Sequence, residues 1–535
     1  MIGHIFWEEA LQRIAPTAGE VLDGLTRREL AYGRETSAFE GTREFVFKHH
    51  VLHQVAYQGV LKQTRREYHR VTADWLVVRS GDRASEYFGL IAEHYEKAGD
   101  KVSAAGYLGK AGKDAVNRYA NPAALDYLGR ALALTPPDDA PARFELLRAR
   151  YRVYSNTGRR SEQQAEIAAL EDLAERLDDD LRRALAANLR SAYSLVTGDY
   201  PGAVDAARRS VALAAMVGKP EAALWSRINW ARALQFQGDY SETLDRLIGE
   251  ALALARASGD GRVETSALTQ FGILAFQRGQ YGVARGHYEH ALAVTRAVGD
   301  RSSESGLINN LGEIERLLGH YDAAFDLFQA GRRLCAEIGQ RLADAYLLCN
   351  VAHVAFLRGD AAGSIRWAAE AMQLAEELKD RDLQATLGCV RAHAHAALGD
   401  WDAAEAGYRV SLALFREIGR STMVPEPLAG LARIALARGD VAGASATVAE
   451  VLARLDAGGS VDGTEDPLWI YLTCHEVLAA AGAPRAADLL RQAHALVMAR
   501  AAPLGDAERA TFLGNVPSHR AIVDAWRRVN CPGAA

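Results

Sequence analysis

The sequence predicts an all-α protein, a right-handed superhelical solenoid of about ten helix pairs behind a short N-terminal segment of different character. Three observations predict it. The signature Gly-Asp-Tyr or a variant stands at Gly198-Asp199-Tyr200, Gly238-Asp239-Tyr240, Gly279-Gln280-Tyr281, Gly319-His320-Tyr321, Gly359-Asp360-Ala361, Gly399-Asp400-Trp401 and Gly439-Asp440-Val441, its first glycines 40 or 41 residues apart. Around one of these turns, Leu307, Ile308, Leu311, Ile314, Leu317 and Leu318 are apolar at helical spacing, Gly319 breaks the helix, and Ala324, Phe328 and Leu334 resume an apolar stripe. Neither helix can bury its stripe alone, so the unit needs copies of itself. The third observation is composition. Of 535 residues 49% are hydrophobic, Ala and Leu are abundant and only 14 are Pro, which suits stacked helices too long for a single globular core.

In chain order, residues 1–80 differ from the rest. Ile2 to Ile14 reads as the end of one unit and a short helix, and Thr26-Arg27-Arg28-Glu29-Leu30 as a helix end running into a loop. Phe39 to Lys48 alternates at Phe45 and Phe47, which predicts a short strand or hairpin, and His49 to Val78 a long helical stretch. Residues 81–137 hold irregular repeats, two helix pairs ending at Thr135-Pro136-Pro137-Asp138-Asp139, where proline cannot continue a helix interior. The regular array occupies residues 138–456: Gly158 stands 40 before Gly198. Residues 457–535 form the C-terminal cap. They begin with the loop Ala457-Gly458-Gly459-Ser460-Val461-Asp462-Gly463-Thr464-Glu465-Asp466-Pro467, which reads as flexible. Helices over Trp469–Ala481, Ala486–Ala501 and Ala507–Asn530 then cover the last apolar face.

A net charge of −6 over this length gives no electrostatic case for nucleic acid or an anionic membrane. No apolar run reaches the roughly 20 residues of a membrane span, and Glu8 and Glu9 interrupt the N-terminus where a signal peptide would be apolar. The five cysteines, Cys335, Cys349, Cys389, Cys474 and Cys531, are scattered, odd in number and without a C-x-x-C, which fits reduced cytoplasm. Cys349 and Cys389 share one repeat position and read as small buried side chains.

Phe45-Val46-Phe47-Lys48-His49, Val55-Ala56-Tyr57, Arg65-Arg66-Glu67-Tyr68-His69 and Ala73, with Ile2-Gly3-His4-Ile5-Phe6-Trp7 before them, resemble a specific junction. It is the end of the ATPase module, with its winged-helix-like segment, in bacterial STAND/AAA-type signalling ATPases that carry a cyclase or DNA-binding domain at one end and tetratricopeptide-like repeats at the other. Ile91-Ala92-Glu93-His94-Tyr95-Glu96-Lys97-Ala98-Gly99-Asp100, with Ala104-Ala105-Gly106-Tyr107-Leu108, looks like that family's first repeat. Phe512-Leu513-Gly514-Asn515-Val516-Pro517, with His519, Arg520 and Trp526, looks like its tail. The family's nucleotide-binding core would lie upstream of Met1. The nearest match to a phosphate loop, Gly106 to Asp114, has its glycines one residue too far apart, Asp114 in place of the hydroxyl and a helical setting. No pair of cyclase metal carboxylates is visible on a hairpin. ATPase and cyclase activity are therefore not carried over, and no catalytic residue, cofactor or metal is assigned.

His49 and His53 stand one helical turn apart, a metal-compatible spacing, but the Glu that would accompany them is His50; the resemblance gives this segment a packing role. His393 and His395 alternate on one helix and read as groove or surface residues. Arg27-Arg28, Arg65-Arg66 and Arg70 are diluted by Glu8, Glu9, Glu29, Glu40, Glu44 and Glu67, as on a solvated face rather than a DNA-reading helix.

The most informative chemical signal is a column. Nine residues before the turn glycines of four consecutive repeats stand Asn229, Gln270, Asn310 and Asn350. In tetratricopeptide arrays, which this chain resembles, first helices line the concave groove and an Asn there clamps peptide backbone by donating and accepting at once. The alternative is that these amides bond between neighbouring helices. Three residues further on, Arg232, Ile273, Glu313 and His353 offer mixed chemistry for specificity. The expected function is a non-catalytic protein-interaction scaffold or sensor arm that takes a protein or peptide segment in the groove. A second reading is the regulatory C-terminal part of an adenylate/guanylate cyclase or signalling ATPase, working with a nucleotide-binding or cyclase module. A third is the ligand-sensing arm of a transcription regulator.

Overall fold

The computed structural model describes residues 5–237, 241–459, 461 and 464–530. The turn Gly238-Asp239-Tyr240, the residues Ile2-Gly3-His4, Ser460, Asp462 and Gly463 of the loop, and Cys531 lie outside them. The all-α solenoid expected from the sequence is the observed fold, with a small three-stranded sheet at its N-terminal end. The chain divides into two compact units, Met1–Gln237 and Gly238–Ala535.

The first unit opens with β1 (Ile5–Trp7), α1 (Glu8–Ile14), α2 (Ala18–Arg27), β2 (Ala31–Gly33), β3 (Glu44–Phe47), α3 (His50–Gln58) and α4 (Lys62–Ser80). The strands form an antiparallel sheet in the order β1-β3-β2, with Phe6 opposite Phe45 and Ala31 opposite Phe47. Phe6, Trp7, Phe39, Phe45 and Trp75 fill the core beneath it. Glu44 is buried there and fully engaged. Trp7 Nε1 donates to its Oε2 at 2.9 Å, the Ala38 amide at 2.7 Å, and Arg34 Nη1 reaches Oε1 at 2.6 Å. Burial pushes the carboxyl up, but these donors outweigh it and hold it below its ordinary range. The long helix expected over His49–Val78 is two, because Gly59 closes α3 and the chain restarts after Leu61. His53 packs between Phe47 and Tyr57.

The unit continues through α5 (Ala84–Ala98), α6 (Lys101–Asn117), α7 (Asn121–Leu134), α8 (Ala140–Asn156), α9 (Arg160–Arg176), α10 (Asp180–Val196), α11 (Tyr200–Met216) and α12 (Leu224–Phe236). Before the Thr135–Asp139 turn there are thus three helices rather than two pairs. Gly106 to Asp114 lies wholly inside α6, where Gly109 and Gly112 admit Leu146 and Leu128 of α8 and α7.

His69 of α4 meets His94 of α5 at 2.9 Å, Nδ1 to Nδ1, and Tyr57 Oη at 2.9 Å through Nε2. Burial first, then the Lys97 and Arg65 charges, pull the His69 imidazole down to about 4 from 6.5. Between those values the unfolded chain holds the proton and the folded chain does not, so stability falls as pH drops through this window. Thermal melts stepped between those two pH values should show this decline, and His69→Gln should flatten it.

The second unit is α13 (Glu242–Ser258), α14 (Gly261–Gln277), α15 (Tyr281–Val298), α16 (Arg301–Leu318), α17 (Tyr321–Ile338), α18 (Arg341–Leu357), α19 (Ala361–Glu377), α20 (Arg381–Ala397), α21 (Trp401–Glu417), α22 (Pro425–Ala437) and α23 (Val441–Asp456). Then come α24 (Pro467–Ala480), α25 (Arg485–Ala501), α26 (Asp506–Gly514) and α27 (Pro517–Asn530). The last two replace the single helix expected over Ala507–Asn530, since Pro517 has no N–H to continue α26 and instead opens α27.

The turn signature now has a physical meaning. Its glycine takes the left-handed conformation that ends the first helix, as at Gly399 with φ +79. Its aspartate caps the second: Asp360, Asp400 and Asp440 accept from the amides of Gly363, Ala403 and Gly443. The same device closes the other turn of two repeats, at Gly259 and Gly299, followed by the caps Asp260 and Asp300. Lys379 stands in that register with φ +56.

Candidate functional site

First helices of successive repeats touch one another, α16 with α18, α18 with α20 and α20 with α22, which places them on the inner face of the stack. In the first unit, Asn229 and Arg232 lie on α12. Asn229 is buried and its Nδ2 donates to Asn188 Oδ1 on α10 at 3.3 Å. Burial alone lowers the Arg232 guanidinium from its ordinary value.

In the second unit, Gln270 of α14 is buried, and its Oε1 has no hydrogen-bond partner among the described residues. Asn310 of α16 is half-buried. Asn350 Nδ2 on α18 donates to Asn309 Oδ1 on α16 at 2.9 Å. Two members of the column, Asn229 and Asn350, thus tie one first helix to the preceding one, each through an asparagine 41 positions earlier in the chain.

Glu313 and His353 are brought together by residues that the column did not contain. Arg316, buried one turn after Glu313, donates Nη2 to Glu313 Oε2 at 2.7 Å. The same nitrogen lies 3.4 Å from Glu465 Oε2, and His353 Nδ1 lies 3.4 Å from that oxygen. Glu465 belongs to the stretch read as a flexible loop. Its backbone N–H donates to Glu426 Oε2 of α22 at 3.1 Å. Glu426 Oε1 meets His393 Nε2 at 3.0 Å, and Tyr408 Oη meets His393 Nδ1 at 2.7 Å. His393 is therefore an inner-face residue stacked edge-on to Trp469, while His395 turns to Asp400 at 3.1 Å.

The electrostatics follow from packing. Burial pushes the Glu465 carboxyl up, but the hydrogen bond from His353 and the Arg316 charge outweigh it and hold the group down at about 2. Burial alone would lower Arg316; Glu313 and Glu465 more than reverse it, so the guanidinium stays charged. The described cysteines are all buried, and burial drives the Cys349 and Cys389 thiols well above their ordinary value. Among the described residues no group of three or more His, Cys, Asp or Glu is placed to hold a metal ion. No helix among them is long and apolar enough to cross a membrane.

A cleft of about 720 Å³ opens beside this cluster, lined by Phe276, Arg278, Tyr281, Glu313, Arg316 and Arg500. Its far wall is the C-terminal segment, which turns back onto the repeats. Leu490, Val497, Phe512 and Ile522 share one hydrophobic core with Leu268, Leu307, Leu311 and Ile314. Arg285 reaches Glu508 at 2.7 Å and Glu315 at 2.9 Å. Asn515 Nδ2 donates to Gly319 O at 3.3 Å, and a Cβ at Gly319 would stand 3.1 Å from Asn515 Cβ. Arg316 stands three residues before the turn glycine Gly319 and three after Glu313, outside the aligned column.

A tetratricopeptide repeat family model matches residues 262–337, the helices α14 to α17. No curated protein matches the chain. Among solved structures it is similar to a STAND signal transduction ATPase with a tetratricopeptide repeat sensor from Pyrococcus horikoshii. That likeness has 14% identity and a TM-score of 0.56 over 78% of this chain and 62% of that one. It is also similar to the apo form of the quorum sensor NprR from B. thuringiensis, with 13% identity and a TM-score of 0.50 over 65% of this chain and 97% of that one. The chain spans 62% of the length of the first of these proteins, and at such identities the likeness is one of fold.

Proposed function

We propose that this protein is a non-catalytic sensor or scaffold arm that binds a protein or peptide segment on the inner face of α14–α18. The observation that carries the proposal is the cleft beside Glu313 and Arg316. It joins apolar walls, Phe276 and Tyr281, to a few fixed charges, the composition of a site that grips a chain segment and reads part of its sequence. The half-buried Asn310 supplies a backbone-gripping amide next to it. The solenoid's likeness to a tetratricopeptide repeat sensor in a STAND ATPase supports the sensor part in fold terms. On this reading residues 1–80 are a winged-helix-like remnant of an ATPase module. Residues 81–137 and 138–456 are irregular and regular repeats, and 457–535 are the closing segment. The arm acts on a nucleotide-binding or cyclase module, in the cytoplasm.

A displayed random-peptide library panned on the full chain tests the reading. Wild-type protein should enrich peptides, and Asn310→Ala should lose them with little change in melting temperature. Asn350→Ala, by contrast, should lower stability by about 1 kcal/mol, because it leaves Asn309 Oδ1 without its donor. Equal binding of the enriched peptides by the Asn310→Ala variant would overturn the assignment of the groove.

A further inference from the structure

We infer that Thr464–Pro467 is a built-in occupant of the inner face, standing where the partner stands, and that the partner is a peptide whose acidic side chain replaces Glu465 on Arg316 and His353. The inference rests on the peptide-binding reading above.

Four observations carry it. The strap is not helical where it crosses the face; α24 begins only at Pro467. It is held as a bound peptide is held. A side chain of an inner helix, Glu426, accepts from its backbone N–H, while its own side chain meets two successive first helices through Arg316 and His353. The side-chain partners of Glu465, Arg316 and His353, lie more than 100 positions earlier in the chain, and Glu426, which takes its backbone N–H, lies 39 earlier. The strap itself forms part of the cleft wall: Thr464, Glu465 and Pro467 line it beside Glu313 and Arg316.

Charge names the occupant. With Glu465 withdrawn, Arg316 keeps only Glu313 among its ion-pair partners in the described structure, and His353 loses its carboxylate. Arg316 and His353 are then one carboxylate short of the docked state, and a carboxylate entering from the adjoining cleft restores it. A basic or neutral segment would not. The strap and an acidic peptide are therefore mutually exclusive, and the strap lowers apparent affinity by the fraction of time that it is docked.

The test uses the full chain and a fluorescein-labelled peptide that copies residues 459–469, read by anisotropy. Glu465→Gln in the chain should tighten binding of this peptide by about tenfold or more over wild type, and a peptide with Gln in the Glu465 position should bind about tenfold more weakly. If the Glu465→Gln chain does not fold, excess peptide added to wild type should speed amide exchange at Thr464–Asp466. A folded variant that binds both peptides no better than wild type would make the strap a structural staple. In that event library peptides that still bind would leave the groove reading standing. Failure of every peptide on every chain would remove the groove reading itself.

Discussion

Gly312→Val is expected to destabilise the second unit by about 3 kcal/mol, read as a drop in its denaturation midpoint. Gly312 lies inside α16, where glycine is otherwise unfavourable, and a Cβ there would stand 2.4 Å from Cε1 of Phe328. Phe328 is completely buried, so its ring has nowhere to move. Gly272 and Tyr288 repeat the arrangement one unit earlier, with the Cβ 2.3 Å from the ring. The glycine is thus a socket for the aromatic of the following helix. Two controls separate this from loss of helix propensity. Gly306→Ala, on the same helix with no atom within 4 Å of the new Cβ, should gain roughly 0.5–1 kcal/mol. Phe328→Leu should make Gly312→Val less costly, because the clash is pairwise.

The register of the array was legible because it is written in local chemistry. A left-handed glycine fixes the turn, and the glycines of all six signature turns among the described residues take that conformation, with a capping aspartate after four of them. The half-period is written in the same chemistry at Gly259-Asp260 and Gly299-Asp300, 20 residues before Gly279 and Gly319. The glycine sockets were visible only as helix-weakening residues until the aromatic 16 positions later was placed beside them.

The site was legible in part, for a different reason. A column aligned on the turn finds residues that share a height, and it found Glu313 and His353. It could not find their partners. Asn188 and Asn309 sit one residue before the column, so the amides they receive looked unattached. Glu465 comes from a glycine-rich loop whose composition argued for solvent. Only the return of the C-terminal helices onto α14–α16 delivers its carboxylate to Arg316. Contacts of that range are set by tertiary packing, which periodicity does not encode.

Arg316→Met should be more damaging than any loss of an exposed ion pair in this protein, at about 3–5 kcal/mol, because it strands two carboxylates around a buried site. Glu313 and Glu465 both point at its guanidinium, at 2.7 and 3.4 Å. The pH dependence identifies the cause. In wild type the Glu465 carboxyl is held at about 2, below its ordinary 4.5, so its contribution is complete above 4.5 and is lost as pH falls toward 2. Without Arg316 the desolvation that pushes this group up loses its main opposing charge. The folded-state carboxyl then titrates higher, against the hydrogen bond from His353 that remains, so the variant has less of this contribution to lose. Melting temperature of the variant relative to wild type should rise as pH falls from 4.5 toward 2. Adding Glu465→Gln should restore part of the lost stability at neutral pH, since one of the two uncompensated carboxylates is then gone. Equal pH profiles for Arg316→Met and wild type would mean that Arg316 holds the inner face by packing rather than by charge.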